Sequence, residues 1–198
     1  SDRSGDQLTQ LAKSIFGSKD KDGAEAAGWD PYMENPATVW LLHWLINSNY
    51  REVSATRWFF NFFNGQRFDK KLLLKALTAD MVRLEIPSSS SNTIEKDIDC
   101  FLQTYTSRIS LPDELFVYCL ILFWKEQHTT ATTLSFDSVL SSPGSPARIF
   151  RLSQNALGQR INNAEILTEG RISWTDTQGL RGVMCRDLDS LDANSYLT

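Results

Sequence analysis

From Val39 to Ile46 the chain reads VWLLHWLI, apolar at every position except His43. A helix of this composition has no wide polar face to turn to water, so other elements must enclose it. The residues just before it mark its start. Asn35 is a good N-cap because its side chain can accept an amide hydrogen bond, and Pro36 suits the first helical position, where no N–H is needed. Trp29 to Asn47 therefore reads as a loop, a start signal and a central core helix. After one short connection, Trp58, Phe59, Phe60, Phe62 and Phe63 cover most of a second helix, capped by Ser54 and stopped at Asn64 and Gly65. The two helices are expected to pack on each other.

At 198 residues the chain can bury well over half of its extended surface without disulfides or metals. Cys100, Cys119 and Cys185 are an odd number at wide spacings, which favours reduced, buried thiols and a cytoplasmic location. The most apolar run, Leu115 to Trp124, is too short to span a bilayer, so no membrane partner is expected. The opening SDRSGDQLTQ lacks an initiator Met and reads as an excerpt or a processed start.

Other elements follow from periodicity and caps. Leu8, Leu11, Ala12 and Ile15 make a short amphipathic helix ending at Gly17, and Ser18 to Gly28 reads as a loop. Asp69 caps a helix to about Leu84 with Leu72, Leu73, Ala76, Leu77 and Val82 inward. Pro87 and Ser88 to Ser91 break it. Asn92 and Glu95 resemble a capping box for a helix with Ile94, Ile98, Phe101, Leu102 and Tyr105 on one stripe. Lys96 and Asp99 face water there, whereas Asp97 lies at the stripe edge, in line for partial burial. Pro112, Asp113 and Glu114 open a strongly apolar helix to His128.

After Thr129 the texture changes. Phe136, Val139 and Leu140 suggest a short helix, Pro143 to Pro146 a turn, and Ser153 the cap of a helix with Ala156, Leu157, Ile161 and Ala164 inside. RISWTDTQGLRGVMCR then reads as a hairpin turning around Thr175 to Gly179. The predicted fold is mainly α: a multi-helix domain over residues 1–128, then a winged-helix-like domain over residues 129–198 with a small β-hairpin.

The net charge of −4 argues against DNA binding by the whole surface. Residues 129–198 nevertheless contain no lysine and six arginines, at positions 148, 151, 160, 171, 181 and 186. Arginine suits bidentate contact with phosphate or guanine. Arg151, Arg160, Arg171 and Arg181 are the DNA-binding candidates, and the bland alternative is a solvated surface set.

Neither a phosphate-cradling glycine loop nor a dinucleotide fingerprint occurs, so no nucleotide or organic cofactor is expected. Two histidines and scattered cysteines give no zinc spacing. Magnesium- or manganese-dependent phosphodiester chemistry would need convergent carboxylates with a lysine nearby. Asp97 and Asp99 with Lys96, joined by Asp30 and Glu34, are the available set, with Asp97 and Asp30 as metal ligands. The alternative for these acids is a solvated helix face. His43 is the one ionisable group in the core helix, a catalytic candidate or a hydrogen-bonded core histidine.

WDPYMENPATVWLLHWLI, WFFNFFN, TIEKDIDCFLQTY and ISWTDTQGLR together resemble the SspB family, the DNA-nicking components of bacterial single-stranded DNA phosphorothioation defence systems. The resemblance runs from about Leu8 to the end. It rests on Asp30, Tyr32, Asn35, Pro36, Trp40, His43, Trp44, Lys96, Asp97, Asp99, Tyr105, Trp174, Gly179, Leu180 and Arg181. It implies a DNA nickase acting beside a cysteine desulfurase, an ATPase and an ATP pyrophosphatase; a homodimer is the assembly to be tested. The chain departs from that family's pattern in two places: the family has a further N-terminal region ahead of the Leu8 helix, and a longer segment where this chain goes directly from Arg108 to Pro112. The other reading is a non-catalytic winged-helix adaptor of the same system, binding DNA or partner proteins.

Overall fold

The structure is a computed structural model describing residues 13, 15, 17–19, 25–26, 28, 30–49, 54–65, 67–83, 91–106, 110–128, 130–177 and 180–197, without side chains at 18–19, 25–26, 91, 104–106 and 177. Most of the helix through Leu8, the break at Pro87, the side chain of Tyr105, and the hairpin tip at Gly179 lie outside the described residues. Two short strands, β1 (Ser18–Lys19) and β2 (Glu25–Ala26), pair antiparallel within the stretch expected to be loop.

Helix α1 spans Pro36–Ser48 and starts as its caps dictate, Ala37 N donating to Asn35 Oδ1 at 2.9 Å. It is less enclosed than its sequence implies. Ile46 is 53% exposed, while the buried face carries Thr38, His43 and Asn47 beside Leu41 and Trp44. Thr38, His43 and Asn47 can lie inside here because each has a hydrogen-bond partner, described below. Helix α2 (Ala55–Asn61) is capped by Ser54 and ends before Asn64, with Phe62 as its C-cap.

Helix α3 (Lys70–Arg83) is capped by Asp69, whose carboxylate accepts from Leu72 N at 2.7 Å. Leu73 and Leu77 are buried, but Leu72 and Val82 face solvent. Helix α4 (Ser91–Thr106) includes Asn92 in its body, so Asn92 is not its cap. Helix α5 (Asp113–Gln127) buries nine residues, among them Phe116, Phe123 and Trp124. Each large side chain fully buried this way contributes about 1.5–3 kcal/mol.

The C-terminal part carries β3 (Thr133–Ser135), α6 (Phe136–Ser141), α7 (Pro146–Ile149), α8 (Gln154–Leu167), β4 (Ile172–Thr177) and β5 (Leu180–Cys185). The mainly α class with a small β unit at the C-terminus is as expected. The sheet has three strands rather than a hairpin alone, in antiparallel order β3-β5-β4. Gly182 sits in the central strand, where a Cβ would lie 3.0 Å from Leu134 O and 3.1 Å from Thr175 Cγ2.

Apolar packing forms two clusters. The larger joins α1 and α5 to α7, α8 and the sheet; the smaller joins α2, α3 and α4 around Phe59, Phe60 and Phe101.

Candidate functional site

Between the two clusters runs a seam of buried polar groups. Asn47 Nδ2 donates to His43 O at 2.7 Å, and Thr56 Oγ1 donates to Asn47 Oδ1 at 3.1 Å. Asn61 Nδ2 donates to Asn47 O and to Arg57 O, both at 2.9 Å, while Gly144 N donates to Asn61 Oδ1 at 2.7 Å. His43 lies in this seam, its Nε2 3.4 Å from Ile149 O and its ring edge-on to Phe60 at 4.4 Å. Burial lowers its pKa to about 4, against which the Ile149 carbonyl acts weakly in the opposite sense. A neutral, enclosed imidazole joins α1 to α7, the arrangement of a hydrogen-bonded core histidine.

Two arginines tie the same seam. Arg148 donates to Asn61 O and Phe63 O, and Arg151 donates to Phe63 O at 2.8 Å and Gly65 O at 3.3 Å with its guanidinium 4.9 Å from the Phe59 ring centre. They take up carbonyls left open where α2 ends. Burial pulls the Arg148 pKa down, with Arg151 acting in the same sense. Arg160 forms an ion pair with Asp113, which also accepts from Asn163 at 2.7 Å, so α8 is fastened to the first turn of α5. Arg171 is half-buried and donates to Thr168 O; Arg181 and Arg186 are exposed.

Asp30 is buried, and its carboxylate accepts from Glu34 N, Asn35 N and Thr38 Oγ1. The Thr38 hydroxyl foremost holds its pKa below the usual carboxylate value. These bonds brace a turn in which Met33 takes φ 56° and Tyr32 is 83% exposed. Asp97 is exposed rather than partly buried, because the apolar stripe of α4 narrows to Ile94, Ile98 and Phe101 there. Lys96 is exposed as well. Asp99 instead meets Lys70 at 2.8 Å, with Glu95 at 3.5 Å from the same ammonium. Cys100, expected inside, is exposed.

Among the described residues no three His, Cys, Asp or Glu side chains converge as a metal site. Of the candidate carboxylates, Asp30 is taken up by two turn amides and the Thr38 hydroxyl, and Asp99 by Lys70, while Asp97 is exposed. No described helix is long and apolar enough to cross a membrane.

The exposed face of α8 combines with the sheet in a way the arginine pattern does not signal. Asn155, Gln159 and Asn162 are exposed, and Trp174 of β4 donates its Nε1–H to Asn162 Oδ1 at 2.6 Å. Arg181 of β5 lies over the Trp174 ring, 5.3 Å from its centre. Trp174 thus links a helix carboxamide to a hairpin guanidinium on one surface, with Leu180 of the hairpin 76% exposed. The sequence signal that could have found these residues is the four- and three-residue recurrence of Asn and Gln outside the apolar stripe.

A family model described as "Protein of unknown function (DUF4007)" matches residues 1–110 and 106–198. No curated protein matches the chain. Two solved structures are similar. One, an "SspB crystal structure", has a TM-score of 0.69 at 20% identity over 94% of this chain and 64% of that one. The other, a "Magnesium ion-bound SspB crystal structure", also has a TM-score of 0.69, at 17% identity over 96% of this chain and 73% of that one. The chain thus spans under two thirds of the first relative's length and shares its fold.

Proposed function

The chain belongs to the DUF4007 family, and from that premise we propose that it is a DNA-docking component of a phosphorothioate-modification system. Its C-terminal part would engage duplex DNA as a winged helix does. The observation that carries this reading is the assembly Asn162–Trp174–Arg181, which brings the outer face of α8 and the hairpin onto one surface. The order α5, β3, α6, α7, α8, β4, β5 supports it, since a winged helix places its last helix in the major groove and its hairpin beside it. Arg181 and Arg186, both exposed, would meet phosphates, with Arg171 beside Arg186 through the backbone bond Arg186 N to Arg171 O at 2.8 Å. The cysteine desulfurase, ATPase and ATP pyrophosphatase of such a system would be its partners.

The test is duplex binding by fluorescence anisotropy across a salt series. Arg181→Ala should weaken binding and lower the slope of log K against log salt by about 0.9, the value for one phosphate contact. An unchanged slope removes the hairpin from the interface.

Nicking is the second reading, favoured by the magnesium ion that one of the two similar structures binds. A supercoiled-plasmid assay with Mg²⁺ or Mn²⁺ tests it, comparing the chain with Asp97→Ala and Lys96→Ala at matched circular dichroism. Nicking lost in both variants would put the chemistry on α4; binding without nicking leaves the chain a docking component.

A further inference from the structure

Asn155, Gln159, Asn162 and Ile166 follow one another along α8 at steps of four, three and four residues, and all are exposed, Ile166 at 77%. At 100° per residue they form a single ridge, opposite the buried Leu157, Ile161, Ala164 and Thr168. No lysine or arginine stands on that ridge. Arg160 lies off it and is paired with Asp113, and the exposed Glu165 sits on a flank. A helix that held DNA through phosphates alone would carry cations there. Among the described residues no hydrogen bond engages the Asn155 or Gln159 amide.

A carboxamide offers a donor and an acceptor side by side. In the major groove that pair matches the N6 amino group and N7 of adenine, whereas guanine shows two acceptors and is matched by arginine or lysine. The aliphatic end of the ridge, Ile166, suits the thymine methyl group. Asn162 is set in place by Trp174. Trp174 lies along the helix over Gly158, one turn earlier, where a Cβ would make an ordinary van der Waals contact at 4.0 Å with its Cζ2. Arg181, over the same indole, supplies the positive charge that a polyanion requires beside an uncharged ridge.

We propose that the α8 ridge reads adenine edges in A·T base pairs, with Asn155 and Gln159 as the specificity-determining residues and Asn162 held by Trp174 at its centre. This rests on the docking reading above and adds base selectivity to it.

The experiment enriches a randomised duplex pool on the full chain, then resynthesises the enriched duplex with 7-deazaadenine, which keeps pairing but removes N7. Expected are fixed A·T pairs in the enriched pool, and a loss of about 2- to 13-fold in affinity for each contacted adenine replaced by its deaza analogue, the range for one hydrogen bond. The double variant Asn155→Ala, Gln159→Ala, matched to the parent by circular dichroism, should bind both duplexes equally. Enrichment of G·C pairs, or equal binding of the two duplexes by the parent while the salt slope still depends on Arg181, overturns the base reading and leaves docking standing. Absence of duplex binding at low salt overturns both.

Discussion

Trp174 Nε1 donates a hydrogen bond to Asn162 Oδ1 at 2.6 Å, joining the first strand of the hairpin to the outer face of α8. The same indole packs against Phe136 at 5.7 Å and underlies Arg181 at 5.3 Å. One side chain therefore fixes the relation between the helix and the hairpin on which the proposed interface depends.

Trp174→Phe keeps an aromatic ring but removes the donor together with the pyrrole part of the indole. The lost bond should cost about 0.5–1.5 kcal/mol of stability, read as a shift in the urea midpoint. Duplex affinity should fall by more than the fold change in stability, because Arg181 and Asn162 lose their common support. A variant with normal affinity would dissociate the indole from the interface.

Arg160 and Arg181 are both arginines of the C-terminal part, yet they should behave differently. Arg160→Ala breaks the ion pair that holds α8 to Asp113, whose side chains are only 22% and 31% exposed. It should lower stability by about 1–2 kcal/mol and leave the DNA salt slope unchanged. Arg181→Ala should do the reverse. A lowered slope for Arg160→Ala would mean that Asp113 gives up its partner to phosphate.

Arg151→Lys tests the seam between the two apolar clusters. A lysine cannot reproduce the planar fork that spans Phe63 O and Gly65 O over the Phe59 ring. Loss of about 1–3 kcal/mol is expected in chemical denaturation, with unaltered salt dependence of DNA binding. Wild-type stability in this variant would show the clamp to be dispensable.

His43 makes stability depend on pH in a stated direction. Its folded pKa is lowered to about 4 from 6.5, chiefly by burial. Between those values the unfolded chain binds a proton that the folded chain refuses. Stability should therefore fall as pH drops from about 6.5 to about 4, by about 3 kcal/mol over that range. His43→Gln should flatten this segment of the stability profile, whatever its effect at neutral pH. A profile of the same shape in the variant would assign the acid sensitivity to other groups.

Local signals in the sequence are legible wherever cause and effect lie within a few residues. Asn35, Ser54, Asp69 and Ser153 each accept the backbone N–H that their caps require. The apolar stripes of α4 and α8 and the pairing of β4 with β5 follow from periodicity, and the burial of α5 from its nearly unbroken apolar run. Strand β3 does not stand out in the sequence because three residues carry too little alternation. Its place comes from pairing with β5, where Leu134 meets Val183.

The candidate site is legible in residue type and not in residue use. The clustering of six arginines in the last seventy residues marks where charge is concentrated. It cannot separate Arg148 and Arg151, spent on the end of α2, from the exposed Arg181 and Arg186. Similarly, Asp30 and Asp99 look alike as acids; one braces a turn and the other meets a lysine.

The amino-acid sequence by itself determined the helical class, the position of most helix starts and the small C-terminal β unit, because capping and amphipathic burial act over one or two turns. Only the tertiary structure decided which polar groups remain available for a partner. Arg151 meets Phe63 across 88 residues and Arg160 meets Asp113 across 47. Such pairings depend on which surfaces the folded core brings together, which no local pattern in the sequence specifies.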